Sequence, residues 1–230
     1  MPESPKALFA HALELHKCHP DKPFPCDGEP FPDAAAHSSG DGPAMSRQSM
    51  TGVDVAALLT RYFAEATGDP AILAEAVHRV YVPIYPSDRI AEAAREAGRD
   101  RALETGRWLV RNGTDSCAVA VGLALLEAVG ITEDDIGLVQ TIGLLSDQFG
   151  ALAARALAKV PRGFAQALLW LADRVAGWGR VNAVRSLAGI DDPEVRRWLL
   201  RKATRAPYSG RTNMPSPGMG RLLSVTTSRL

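Results

Sequence analysis

Residues 181–203 read Val-Asn-Ala-Val-Arg-Ser-Leu-Ala-Gly-Ile-Asp-Asp-Pro-Glu-Val-Arg-Arg-Trp-Leu-Leu-Arg-Lys-Ala. The apolar residues before Gly189 recur at helical spacing, and so do Val195, Trp198 and Leu199 after it. Between them, Asp192-Pro193 sets a capping carboxylate ahead of a proline at the first helical position. The stretch therefore predicts a helix, a short turn and a second helix. Asp69-Pro70 repeats this start signal, and Thr51-x-x-Asp54 and Thr132-x-x-Asp135 read as capping boxes with Asp in place of Glu.

Outward from this stretch, the pattern predicts helices near 5–17, from 51, from 70, and over 86–97, 99–112, 115–129, 132–146, 149–159, 162–176, 178–189 and 193–204. Gly68, Gly98, Gly113, Gly130 and Gly177 fall at or just past helix ends, where a left-handed residue is wanted. Strand signals are nearly absent; the run Val80-Tyr81-Val82 is broken by Pro83 and Pro86. Alternate helices start near 70, 99, 132, 162 and 193, a spacing of 29 to 33 residues. A near-constant period of this size is the mark of stacked helical hairpins, none of which can bury its faces alone. A compact all-α bundle with irregular helix order is the alternative. Residues 163–172 are apolar nearly all round and predict an interior helix touched from several sides.

Three segments carry a family resemblance. Residues 181–203 resemble a HEAT-like repeat: an apolar helix, a short Asp-Pro turn, then Val-Arg opening the next apolar helix. Residues 142–158 look similar, with Ser146-Asp147 at the turn, and Leu109 to Leu126, turning at Thr114-Asp115, is a weaker match. The resemblance covers 99–204 and implies a right-handed α-solenoid used mainly for partner binding. The expected organisation is a short helix and Pro-rich loop over 1–50, a helical repeat domain over 51–205 and a disordered basic tail over 206–230.

Pro20, Pro23, Pro25, Pro30, Pro32 and Pro43 make 18–50 a loop. At the other end the helix from 193 has no second helix after it, only a Pro/Gly/Ser-rich stretch. Its apolar face then lacks an obvious cover. Leu222-Leu223 folds back on it, a partner covers it, or the tail is not the native one, as after a frame change in a GC-rich gene.

Composition narrows the class. The chain has 230 residues, 46% apolar and 23% charged, enough to bury a core. Three cysteines exclude a disulfide scaffold. There is no secretory pattern, and the longest uncharged apolar run, Cys117–Leu126, is half of a membrane span. A cytoplasmic protein is expected. The zero net charge hides two halves: residues 1–154 carry −10 and residues 155–230 carry +10. Such polarity hints at a partner, or is simply chance clustering on solvated faces.

Motifs for chemistry are weak. No Gly-rich phosphate loop opens a helix. His11 and His16 are five apart, which does not put them on one helix face as a zinc pair. His16, Cys18, His19 and Cys26 fit no common zinc spacing and read as solvated histidines and exposed thiols. Cys117, at a helix start, reads as a buried structural thiol. The acidic runs 133–135 and 191–194 read as helix caps. Trp108, Trp170 and Trp198 read as core; Trp178, between two glycines, is a surface anchor or packs on the next repeat. No cofactor is expected. The candidate binding surface is Arg174, Arg180, Arg185, Arg197, Arg201 and Arg205 with Trp178. The first functional reading is a non-enzymatic protein-interaction module whose basic end docks an acidic segment of an unknown protein. The alternative is a nucleic-acid binder or HEAT-like DNA glycosylase using the same arginines, against which the neutral total charge and the acidic first half both count.

Overall fold

A computed structural model describes residues 6–34, 49–160 and 164–202. These residues form eleven α-helices and no strand. They are α1 (Leu8–Cys18), α2 (Val53–Ala64), α3 (Pro70–Val77), α4 (Asp88–Glu96), α5 (Arg99–Asn112), α6 (Ser116–Val129), α7 (Ile136–Gly143), α8 (Ser146–Leu157), α9 (Phe164–Arg174), α10 (Gly177–Ala188) and α11 (Pro193–Lys202). No described helix is long and apolar enough to cross a membrane.

The packing order follows the chain. Successive helices pair as α5–α6, α7–α8 and α9–α10, and each even-numbered helix packs on the next even one: α4 on α6, α6 on α8, α8 on α10. The odd helices α5, α7, α9 and α11 touch one another more lightly in the same order. The centre of the core is α6, in which Val119, Val121, Leu123, Leu125 and Leu126 are fully buried. It meets α5 at a crossing of two glycines. A Cβ on Gly122 would stand 2.8 Å from Leu109 Cβ and 3.0 Å from the Gly106 carbonyl oxygen, so only hydrogen fits there. The segment 164–172 is touched by α7, α8, α10 and α11, as its apolar pattern requires, though Gln166 is exposed and Trp170 only half-buried.

Local signals produced most of the boundaries. Asp69 accepts from Ala71 N at 2.9 Å and Asp192 from Glu194 N at 2.6 Å, so both Asp-Pro starts form. The box at Thr132 closes in both directions, though its first turn is a 3-10 turn and the α-helix begins only at Ile136. Gly98 and Gly130 end their helices at φ 87° and 78°, values that a side chain disfavours. The box at Thr51 does not form: Thr51 lies in a 3-10 turn and Gly52, at φ 78°, is the residue before α2. Gly113 is not left-handed either, at φ −60°.

Two expectations fail for long-range reasons. The eighth helix starts at Ser146, three residues before the predicted 149, and the turn before it is the buried pair Leu144-Leu145. The last helix has no bare apolar face. Val195 is fully buried and Trp198 nearly so, against α9 and α10, with Trp198 Nε1 donating to Asp173 at 3.0 Å. Arg205 and the whole segment 206–230 lie outside the described residues.

Candidate functional site

The loop read over 18–50 is, in its described part, a strap laid over the helices. Leu8 and Ala12 bury completely where α1 packs on α5 and α7. The chain then crosses the amino ends of two even helices. Asp27 accepts from Ser146 N at 2.9 Å, Ser146 Oγ at 2.6 Å and Asp147 N at 2.6 Å, and so caps α8 from 119 residues away. Asp33 accepts from Ser116 N at 2.6 Å at the start of α6, beside Asp115, which caps Cys117 N. Phe31 stacks on the buried Phe149 with ring centres 6.4 Å apart. Burial pushes the Asp27 carboxyl above its ordinary range, against the pull of the Ser146 and Asp147 donors.

Between this strap and the turn at 81–84 lies a cleft of about 850 Å³ lined by Cys26, Phe31, Asp33, Tyr81, Cys117 and Gln148. Its chemistry is poor for a nucleophile. Burial first, then the Asp115 and Asp33 carboxylates, push the Cys117 thiol up to about 12. The helix start that lowers a thiol's pKa is already neutralised by two caps. Cys18 and Cys26 are exposed, and the described residues hold no group of three or more potential metal ligands that includes them with His16 and His19. His16 instead turns its ring onto Trp170, at 5.5 Å.

Other carboxylates are held by cations from neighbouring helices. Arg107 on α5 grips Asp135 with two bonds of 2.6 and 2.9 Å and reaches Thr132 Oγ1 at 3.1 Å. Burial alone would raise the Asp135 carboxyl; Arg107 and the Thr132 donors outweigh it and hold the group below its usual range. The buried Glu127 of α6 meets Lys159 at 2.8 Å and Arg155 at 3.4 Å. The two Glu127 pairs join the acidic and basic halves of the sequence internally.

The candidate arginines divide into two sets. Arg174 is tied to the strap: it donates to the Pro20 carbonyl at 2.8 Å, pairs with Asp21 at 2.6 Å, and lies 4.4 Å over the Trp170 ring. Arg180 donates to the Ala172 carbonyl and stacks 5.2 Å over Trp198. These two hold the fold together rather than face a partner. Arg185, Arg197 and Arg201 are exposed and make no ion pair among the described residues. Trp178 is 61% exposed at the first turn of α10. A groove of about 670 Å³ runs beside α7, α9 and α11, past Gln140, Trp170, Asp173 and Arg201. There Lys202 pairs with Asp173, and Gln166 with Glu194.

Sequence reasoning missed Asp27, Asp33 and Arg107. Their partners lie 119, 83 and 28 residues away, and no local spacing marks them. No protein-family model, no curated protein and no solved structure matches the chain.

Proposed function

We propose that this chain is a non-enzymatic, cytoplasmic protein-interaction module. On this reading it is a HEAT-like right-handed helical array whose basic α10–α11 end binds an acidic segment of a partner. The observation that carries the reading is the open end of the packing order. On α10 the buried residues Gly179, Ala183 and Leu187 follow one face, and the exposed Trp178, Val181 and Arg185 follow the opposite one. An array normally closes with a polar capping element at this place. Among the described residues Trp178, Val181 and arginines without an ion pair stand in its stead, and Trp and Arg are favoured at binding hot spots. The packing of even helix on even helix supports the array over an irregular bundle.

The test is affinity purification from the native organism with the full chain and with Arg197→Glu/Arg201→Glu. Both side chains are exposed, so the variant keeps its melting temperature. Reversal of two interface charges is expected to lower recovery of the specific partner by about tenfold or more. Undiminished recovery of every partner would overturn the reading.

A further inference from the structure

The open basic end has a counterpart at the other end of the packing order. There α2 packs only lightly on α3 and more closely on α4, and α3 exposes Ile72 to 66%. Asp69, Ile72 and Glu75 fall three residues apart, on the exposed side of α3. Residues 53–77 hold four carboxylates, Asp54, Glu65, Asp69 and Glu75, against one cation, Arg61, a net of −3. Residues 177–202 hold six cations against three carboxylates, a net of +3. Arg101 reaches the Phe63 and Glu65 carbonyls beside the acidic end and offsets part of its charge, but ion pairs do not remove the rest. Arg185, Arg197 and Arg201 on one end, and Asp54, Glu65 and Glu75 on the other, are exposed and make no ion pair among the described residues.

We propose that the chain binds a second copy of itself head to tail, the α10–α11 end of one copy seated on the α2–α3 end of the next. The match is both electrostatic and apolar. The exposed Arg185, Arg197 and Arg201 share α10–α11 with Trp178 and with Leu200, which is 71% exposed, and the exposed Asp54, Glu65 and Glu75 share α2–α3 and the turn between them with Ile72. A second copy fits better than the chain's own tail. Residues 206–230 carry Arg211, Arg221 and Arg229 and no carboxylate, so they share the sign of the basic end. The contact joins two different surfaces, so it is heterologous and propagates instead of closing as a two-fold dimer. The proposal rests on the reading of the basic end as a docking surface and names its occupant.

Sedimentation equilibrium of the full-length chain tests it. In ~50 mM salt the weight-average mass is expected to rise at least about twofold between ~5 and ~300 μM protein, and to return to the monomer in ~0.5 M salt, where screening shortens to ~4 Å. Two variants are decisive: Arg197→Glu/Arg201→Glu, which disables the basic end, and Glu65→Gln/Glu75→Gln, which disables the acidic end. Each alone is expected to stay at 24.6 kDa with an unchanged circular dichroism spectrum. Mixed in equal amounts, they retain one working end each and are expected to form a dimer and nothing larger. A wild-type chain that stays monomeric at every concentration in low salt overturns the proposal, as does a mixture that stays monomeric. So does a single variant that still dimerises, which would mark a symmetric contact. Failure here leaves the proposed function standing if a foreign partner is still lost on reversing Arg197 and Arg201; failure of both retires the basic end as a surface.

Discussion

Gly122→Val is expected to destabilise the fold by about 3 kcal/mol or more, because overpacking at a backbone crossing cannot be relieved by rotating a side chain. The added Cβ alone would meet Leu109 Cβ at 2.8 Å, Val110 Cγ2 at 2.9 Å and the Gly106 carbonyl oxygen at 3.0 Å. All three belong to α5: two are side-chain atoms and the third is its backbone. To admit the branched side chain, α5 and α6 must separate, and α6 is the helix on which α4 and α8 also pack. The loss therefore spreads to three interfaces. In a chain of this size it lowers the melting temperature by roughly 6–12 °C. Gly137→Ala is the control: nothing lies within 4 Å of its added Cβ, and it sits inside α7. Removing that glycine is expected to stabilise by about 0.4–1 kcal/mol through the unfolded chain. Urea denaturation of both variants measures the contrast. Equal midpoints for Gly122→Val and wild type would mean that the two helices do not cross at these glycines.

Removing residues 1–34 is expected to cost about 5 kcal/mol or more, although the sequence there reads only as a short helix and a Pro-rich loop. Burial of Leu8 and Phe24 accounts for about 1.5–3 kcal/mol each. Loss of the caps at Ser116 and Ser146 adds about 1 kcal/mol each. The ring of Phe149 is then left without Phe31 above it. A finer probe is Asp27→Ala, which removes three hydrogen bonds and places alanine at φ 56°, for a loss of about 2 kcal/mol. Thermal melts of the truncated chain measure the sum. A truncated chain that melts with the wild type would show that the strap is not part of the fold.

What the sequence made legible was what physical chemistry writes locally. Asp69-Pro70, Asp192-Pro193 and the Thr132–Asp135 box each place a donor and an acceptor within three residues, and all three form. The helix over 99–112 is bounded by two glycines and is found with those limits. The start of α8 was not legible, because its cap is Asp27, and Leu144-Leu145 carries no turn chemistry of its own. The cover over Val195 was not legible either, since it comes from α9 and α10 folding back on α11. The candidate surface was half legible. Exposed arginines and tied ones look alike in a sequence; only the placement of Asp21 and Trp198 separates Arg174 and Arg180 from Arg185, Arg197 and Arg201.

The central structural claim is that alternate helices rest on one another, so that α10 lies on α8 across the top of the hairpin that α9 begins. Gly179 on α10 sits so close to Ser146 on α8 that a Cβ there has no room, and Gly150 lies beside it. A nuclear Overhauser spectrum of the isotope-labelled chain reads this directly. Cross-peaks from Gly179 Hα to Ser146 Hβ and to Gly150 Hα are predicted, as intense as those joining Gly106 and Gly122. If the Gly106–Gly122 peaks appear and both Gly179 peaks are missing, α10 does not lie on α8, and the stacked row with its open basic end is contradicted.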